Sequence, residues 1–355
     1  MPSLVSTSRG AQAAASLRRF LRCVGDDAPL YALLVIYLAA TFTFALQLDA
    51  TRRILWLAYW KHYATLFGMA LFLCALVLAI GDDPRRPLTA FGRRLAALAA
   101  PRPAATALFL LALPLLFDGY TTAKNLLSVS GTFDWDIRLA EADRWLHGGT
   151  DPWRWLFPLL GHEPVTRALE VLYVPGWFMT MCLTVAAATL ARRDDTLRGQ
   201  FFATFLLAWM LLGTLAAGLF LSAGPAYFGH VTGDHDRFGP LISFLSFSHG
   251  LDHSASDYQT YLWRIFQGEG AGFGSGISAF PSMHLAMSTL SALVGFRLHR
   301  RAGVVATAYA AVILAGSVHL GWHYAVDGYA SIVAVILLWH GVGRGMDRLG
   351  RRPLA

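Results

Sequence analysis

The chain has 355 residues, of which 55% are hydrophobic and 14% are charged, and its formal net charge is +7. Soluble globular domains carry about 25% charged residues. The positive mean hydropathy of +0.48 and the long apolar runs exclude that class and predict an all-α, multi-pass transmembrane bundle. The three cysteines lie far apart and show neither a disulfide framework nor the spacing of metal ligands.

The apolar runs predict about eight membrane spans, because a span needs roughly 20 mostly apolar residues. The predicted spans lie near residues 29–48, 62–80, 104–123, 168–190, 201–222, 282–298, 303–320 and 326–343. The first run is too long for a cleaved signal peptide, and no small-residue cleavage site follows it.

The basic residues occur in clusters beside alternate spans. They are Arg18, Arg19 and Arg22; Arg85, Arg86, Arg93 and Arg94; Arg192, Arg193 and Arg198; Arg297, Arg300 and Arg301; and Arg344, Arg348, Arg351 and Arg352. With eight spans all five clusters fall on one side, which the positive-inside rule makes cytoplasmic, so both termini are predicted cytoplasmic. Membrane orientation accounts for the positive charge, and we predict no nucleic-acid partner. The sequence leaves the oligomeric state open.

Two long segments, 124–167 and 223–281, fall on the predicted extracytoplasmic side. The first contains Asp134-Trp135-Asp136 and the stretch 143–149, where tryptophans alternate with charges, as in segments that lie at a membrane interface. It is either an interfacial anchor or a headgroup-recognition element above a site. The second ends in the glycine-rich run 268–276, which either permits the close approach of a phosphate or is a flexible connection.

Two segments carry the strongest chemical pattern: 279–284, Ala-Phe-Pro-Ser-Met-His, and 319–327, which sets His323 four residues before Asp327. Four residues make about one helical turn, so imidazole and carboxylate face the same way. The predicted topology places His284 on the same membrane face. A carboxylate-oriented histidine with a second histidine nearby suits attack on a phosphoryl group and protonation of its leaving group.

The spacing His-x-x-x-Asp occurs three times, at His147 and Asp151, His230 and Asp234, and His323 and Asp327. The third copy differs in its placement, because Asp327 opens the last apolar span, where a charge is costly without a role. Structural histidines are the alternative interpretation. Ser282 follows a proline at a helix start, where it can cap the helix, bind phosphate with the first-turn amides, or do both.

Phe-Pro-Ser-Met-His followed by His-Tyr-x-x-Asp resembles the type 2 phosphatidic acid phosphatase superfamily. Within it, Asp-Arg-x-Leu-His-Gly-Gly and Gly224-Pro225 resemble the inositolphosphotransferase branch, typified by fungal inositol phosphorylceramide synthase. The resemblance covers about residues 120–345. It implies that His323 is the catalytic nucleophile, that Asp327 orients it, and that His284 protonates the leaving oxygen and then activates the acceptor hydroxyl or water. This scheme needs no metal and no cofactor.

The chain departs from the superfamily pattern at its phosphate-binding cations. The motif of lysine, six residues and arginine-proline is absent, Met283 replaces a glycine, and Ser317 replaces an arginine. A phosphomonoester needs more than one cationic donor, so the losses favour a phosphodiester substrate. The candidate phosphate-binding residues are Ser282, Met283, His319, Lys124 and Arg144. An ordinary interfacial anchor is the alternative role of the last three.

We therefore predict an accessory three-helix membrane region at 1–123, a catalytic membrane domain at 124–345 and a basic cytoplasmic tail at 346–355. The predicted activity is transfer of a phosphoryl or phosphoalcohol group, such as phosphoinositol, from a phospholipid donor to a lipid-alcohol acceptor at the extracytoplasmic face of the cell membrane. A lipid phosphatase of the same superfamily is one alternative. A non-catalytic lipid transporter or scaffold is another, although it predicts charges within several spans, and these spans are nearly free of charge.

Overall fold

The computed structural model describes residues 3–97, 99–190, 195–269, 271–348 and 350. In this part of the chain all regular structure is helical and no strand occurs. The all-α fold class predicted from the sequence is confirmed.

The N-terminal part consists of five helices: α1 (Ser3–Asp26), α2 (Ala28–Gln47), α3 (Trp60–Asp82), α4 (Pro87–Ala97) and α5 (Pro101–Ser130). The loop before α3 is fixed to α5, since Asp118 Oδ1 accepts hydrogen bonds from the N–H groups of Ala58 and Tyr59 at 2.9 and 3.4 Å. Helix α5 continues past the predicted span end at residue 123 and therefore includes Lys124.

The remaining helices follow in chain order. They are α6 (Asp136–Leu146), α7 (Pro152–Leu160), α8 (Glu163–Val171), α9 (Trp177–Leu190), α10 (Asp195–Leu207), α11 (Ala217–Leu219), α12 (Phe228–Thr232), α13 (Gly239–Leu245), α14 (Ala255–Arg264), α15 (Met283–Leu298), α16 (Arg300–His319) and α17 (Ala325–Arg348). Widened π-helical segments join α8 to α9 (Leu172–Gly176) and α10 to α11 (Ala208–Ala216), so each of these pairs forms one continuous rod.

Seven described helical segments are long and apolar enough to cross a membrane. They are Ala28–Gln47, Trp60–Asp82, Pro101–Ser128, Glu163–Leu190, Thr196–Leu219, Arg300–His319 and Ala325–Arg348. The sixth predicted span, 282–298, forms the 16-residue helix α15. At 1.5 Å per residue it is about 24 Å long, which is shorter than a bilayer core of about 30 Å.

The last three helices define two ends of the bundle. Helix α15 runs from His284 to Arg297, α16 returns from Arg300 to His319, and α17 runs from Asp327 to Arg348. We call the end with His284, His319 and Asp327 the histidine end, and the other the arginine end. The short connections between these helices require this antiparallel order.

A buried ion pair holds the arginine end together. Asp27, at the start of α2, pairs with Arg198 of α10, and Arg102 of α5 lies 3.3 Å from the same carboxylate. Gln200 of α10 donates a hydrogen bond to the Trp339 carbonyl of α17 at 2.9 Å. These contacts join four helices, and the arginine end therefore depends on charges that are shielded from water.

We expect Arg198→Met to destabilise the fold strongly, because it leaves the buried Asp27 carboxylate without its main partner. Breaking a buried ion pair by removing one member costs about 3–5 kcal/mol. Thermal unfolding in detergent measures the effect, and Arg93→Met is the matched control because the Arg93 side chain is 64% exposed. Equal stability of the two variants would contradict the structural role of the pair.

Candidate active site

His323 lies in the tight turn between α16 and α17. The N–H groups of Trp322 and His323 both donate to the Ser317 carbonyl, at 3.0 and 3.2 Å, and Gly321 adopts a left-handed φ of +70° that favours glycine. His323 Nδ1 lies 3.3 Å from Asp327 Oδ2, which also accepts the N–H of Tyr324 at 3.1 Å. A hydrogen bond to this carboxylate favours the tautomer that carries the proton on Nδ1.

The His323 ring is buried, with 7% of the residue exposed, although it stands outside the membrane-spanning segments. Burial lowers the pKa of His323 to about 3, and the positive charge of Lys124 acts in the same direction. The imidazole is therefore neutral at physiological pH, the form in which a histidine ring nitrogen keeps its lone pair.

His284 faces His323 from the first turn of α15. Its ring stacks on Tyr173 at a centroid distance of 4.2 Å and on Trp177 at 4.3 Å, and these two rings fix its plane. The centroids of the two histidine rings are 6.2 Å apart with an interplanar angle of 62°. One phosphoryl group can contact both rings across this distance. The structure thus brings together the two histidines that lie 39 positions apart in the sequence.

Both histidines line a cavity of about 210 Å³. Most of its wall is aromatic: Tyr59, Phe117, Tyr120, Tyr173, Trp177, Phe178, Trp209, Tyr227, Tyr258, Tyr261, Phe273 and Trp322 line it. The two π-helical segments contribute Tyr173 and Trp209, and such segments often occur at functional sites because they re-aim side chains. The cavity thus joins a small polar end to a large apolar one.

Lys124 is the one lysine or arginine among the described residues that line this cavity. Within the described part of the chain, no hydrogen bond or ion pair is formed by its ammonium group. An uncompensated cation in a cavity with two neutral imidazoles is an attractive position for an anionic group. Of the cationic candidates from the sequence, Lys124 is the one placed beside both histidines.

The structure places two other candidates away from the cavity. Arg144 Nε donates to the Gly149 carbonyl at 3.1 Å, and its side chain lines a separate surface recess beside Glu141 and Arg237. His319 Nε2 lies 2.9 Å from the Thr166 hydroxyl, among aromatic rings behind the site. Neither side chain borders the cavity that holds the two histidines.

Ser282 and Met283 support α15 and do not line the cavity with their side chains. Ser282 Oγ accepts the N–H of Leu285 at 3.4 Å, which is the helix cap expected from the sequence. The Met283 side chain is buried in the main apolar core. Their contribution to the site is the orientation of the first turn, and hence of His284.

Two aspartates that the sequence did not single out hold the loop of His323 in place. Asp136 Oδ1 accepts hydrogen bonds from Tyr324 Oη at 2.6 Å and from the N–H of Gly224 at 2.8 Å. Asp143 accepts the N–H groups of Ala325 and Val326, both at 3.0 Å, and so caps the first turn of α17. Burial raises the pKa of both carboxyl groups, and these hydrogen bonds oppose the shift.

These contacts give the segment 134–149 a structural explanation. The sequence indicates that these two side chains act together, since Asp136 and Asp143 are seven residues apart and so share one face of a helix. Their partners Tyr324 and Ala325, however, lie more than 180 positions away. The first His-x-x-x-Asp copy is not a pair, because Asp151 binds Arg237 at 2.7 Å.

Gly224 and Gly276 lie where the backbone of another segment approaches too closely for a side chain. Gly276 has φ of +89°, and a Cβ there would lie 2.8 Å from the Lys124 carbonyl carbon. Gly224 has φ of +91°, and a Cβ there would lie 2.7 Å from the Trp322 carbonyl oxygen. Both glycines thus allow a loop to pack against an element that carries a cavity residue.

A sequence profile of the PAP2 superfamily matches residues 137–340, which is more than half of the chain. The chain belongs to the PAP2 superfamily. The match includes His284, His323 and Asp327 and leaves out α1 to α5. No match was found among the curated proteins or among the solved structures.

We expect Asp143→Ala to loosen the start of α17, because it leaves two buried N–H groups without an acceptor. An unsatisfied buried donor costs about 1–3 kcal/mol. Hydrogen–deuterium exchange over residues 323–329 should rise in this variant and stay unchanged in the control Asp134→Ala, whose side chain is exposed. Unchanged exchange in Asp143→Ala would show that the cap is dispensable.

Proposed function

We propose that this integral membrane protein is a lipid phosphotransferase. It moves a phosphoryl or phosphoalcohol group, such as phosphoinositol, from a phospholipid to the hydroxyl of a second lipid. The proposal rests on one arrangement of four residues. His323, His284 and Lys124 line one aromatic cavity, and Asp327 accepts the hydrogen bond from His323. Membership of the PAP2 superfamily supports it.

In the first step His323 Nε2 attacks phosphorus, and a P–N bond forms as the P–O bond to the diacylglycerol oxygen breaks. Asp327 accepts the hydrogen bond from Nδ1–H and stabilises the positive charge that develops on the ring. The negative charge of the bound phosphate favours the protonated form of the His284 ring, and this imidazolium gives its proton to the leaving oxygen.

In the second step the acceptor hydroxyl occupies the place of the departed diacylglycerol. His284 takes the hydroxyl proton, the oxygen attacks phosphorus, and the P–N bond to His323 breaks. The proton lost by His284 in the first step is thereby recovered. Both rings and the carboxylate return to their starting states, and no redox step is required.

The charge of the cavity supports a phosphodiester as the donor. A phosphomonoester carries up to two negative charges and a diester one, and Lys124 supplies one positive charge among the described cavity residues. This balance favours transfer of a phosphoalcohol group, as in the inositolphosphotransferase branch, with ceramide or diacylglycerol as acceptor classes.

The arginine clusters support an extracytoplasmic site in the cell membrane. Arg297, Arg300 and Arg348 lie at the arginine end of their helices, opposite the histidines. The positive-inside rule assigns the arginine end to the cytoplasm.

The test uses the full-length protein in mixed micelles with phospholipids that carry a labelled headgroup phosphate, with and without ceramide or diacylglycerol. We expect label in a new lipid with the wild type and none above background with His323→Ala. Circular dichroism and thermal unfolding of the variant establish that it folds. A folded His323→Ala protein that keeps wild-type rates would refute the mechanism. Label found only in water-soluble products would show that the protein is a lipid hydrolase.

We expect Lys124→Met to lower kcat/KM because the apolar side chain keeps the length but removes the charge. Hydrogen bonds to charged groups contribute about 1.5–3 kcal/mol, which corresponds to roughly 10- to 150-fold in kcat/KM. Lys61→Met is a matched control, since Lys61 is the one other lysine in the sequence and is exposed. A phosphate-binding role for Lys124 fails if both variants keep wild-type kcat/KM.

A further inference from the structure

One wall of the cavity is built by residues outside the matched region 137–340. Tyr59 from the loop before α3, and Phe117, Tyr120 and Lys124 from α5, all line the cavity. The N-terminal helices, which the sequence predicted as an accessory region, thus contribute side chains to the space in front of the two histidines.

Phe273 separates this space from the surroundings of the protein. Its ring lines the cavity, and the residue is 37% exposed, so one side of it faces outwards. The ring packs on Tyr59 at a centroid distance of 4.6 Å, on His62 at 4.5 Å and more loosely on Phe178 at 6.1 Å. Phe273 therefore forms part of the wall between the cavity and the outside.

The rings around Phe273 belong to two neighbouring membrane spans. Tyr59 and His62 stand at the start of α3, and Phe178 stands in the first turn of α9. Helices α3 and α9 pack along each other. Phe273 therefore lies between the start of α3 and Phe178, which stands in the middle of the continuous rod of α8 and α9.

The ring of Phe273 is held less firmly than the backbone that carries it. The Phe273 carbonyl accepts a hydrogen bond from Tyr261 Oη at 3.1 Å, and the N–H of Gly274 donates to Tyr59 Oη at 2.9 Å. Ser275 Oγ accepts a hydrogen bond from Asn125 Nδ2, and Ile277 N–H donates to Ser128 Oγ, both at 2.8 Å, so the following residues are fixed on α5. The ring itself packs on aromatic neighbours, and each such contact is worth about 0.5–1.5 kcal/mol beyond its burial. The ring can be displaced while the backbone after it stays in place.

We infer that Phe273 is a specificity-determining residue at a lateral entrance between α3 and α9, and that the acyl chain of a bilayer phospholipid displaces its ring on entry. The inference rests on the proposed function and names its substrate class. The substrate is a long-chain phospholipid whose headgroup reaches His323 while its chains stay among the spans, as opposed to a water-soluble phosphoester.

The wall behind Phe273 favours this substrate class. Phe178, Phe117 and Trp209 line the same cavity as Phe273, together with Lys124 and the two histidines. The aromatic rings stabilise methylene groups by burying them, whereas a hydrated, charged phosphoester loses more water than these rings replace.

The kinetic test compares Phe273→Ala and Phe273→Trp with the wild type. Phe266→Ala is the matched control, because Phe266 lies on the same segment but packs on Trp263 and Phe133, away from the cavity. Each protein is assayed with a long-chain phospholipid in bilayers and with its dihexanoyl analogue in solution. Changes in pocket size of this order alter kcat/KM by roughly tenfold or more.

We expect the long-chain to short-chain ratio of kcat/KM to rise in Phe273→Ala, to fall in Phe273→Trp, and to stay unchanged in Phe266→Ala. The inference is overturned if both Phe273 variants keep the wild-type ratio or shift it in the same direction.

A second measurement does not depend on turnover. Full-length His323→Ala protein in bilayers is irradiated with a phosphatidylinositol that carries a diazirine on one acyl chain, and the cross-links are mapped by mass spectrometry. We expect cross-links at Phe117 or Tyr120, lost when Phe273→Trp is added and retained with Phe266→Ala. Cross-links that persist with Phe273→Trp, or their absence from all proteins, would refute the entrance. If the cross-links show this pattern but the wild-type protein turns over no lipid, the proposed function is refuted and the entrance is still supported.

Discussion

The hydrogen bond between His323 and Asp327 is the contact around which the histidine end is built. An imidazole and a carboxylate lose their water on burial, so each needs a partner within the protein. Asp327 supplies this partner from the first turn of α17, which fixes where that helix begins. The turn from Leu320 to Tyr324 then has to hold the ring within 3.3 Å of the carboxylate. The neighbouring helix α6 and the turn itself hold the ring in this position.

The loop of His323 is held from outside by side chains of α6. Asp136 and Asp143 accept hydrogen bonds from Tyr324, Ala325 and Val326, which lie between His323 and Asp327 in the sequence. Buried carboxylates are costly unless several donors reach them, and here four backbone N–H groups and one hydroxyl do so. The segment 134–149 thus supports the loop of His323; Trp145 in it is exposed, whereas Trp135 packs on Phe220.

The cavity combines ionisable side chains with an aromatic surface that suits lipid chains. Its polar end has two histidines and Lys124, and its other walls are aromatic. His284 borders this cavity from the first turn of α15. Tyr59 and α5 complete the wall from outside the matched superfamily region, so the N-terminal helices and the superfamily core share one site.

The sequence by itself determined the helical membrane class, the approximate spans and the spacing of His323 and Asp327, because hydrophobic length and helical period are local properties. It also selected His284 and Ser282 through a motif on a helix start. Only the tertiary structure decided which cation stands beside the histidines. Lys124, Arg144 and His319 are equivalent candidates in the sequence, whereas packing places Lys124 in the cavity and gives the other two different partners. The roles of Asp136, Asp143 and Phe273 likewise depend on contacts between distant segments, which no local pattern encodes.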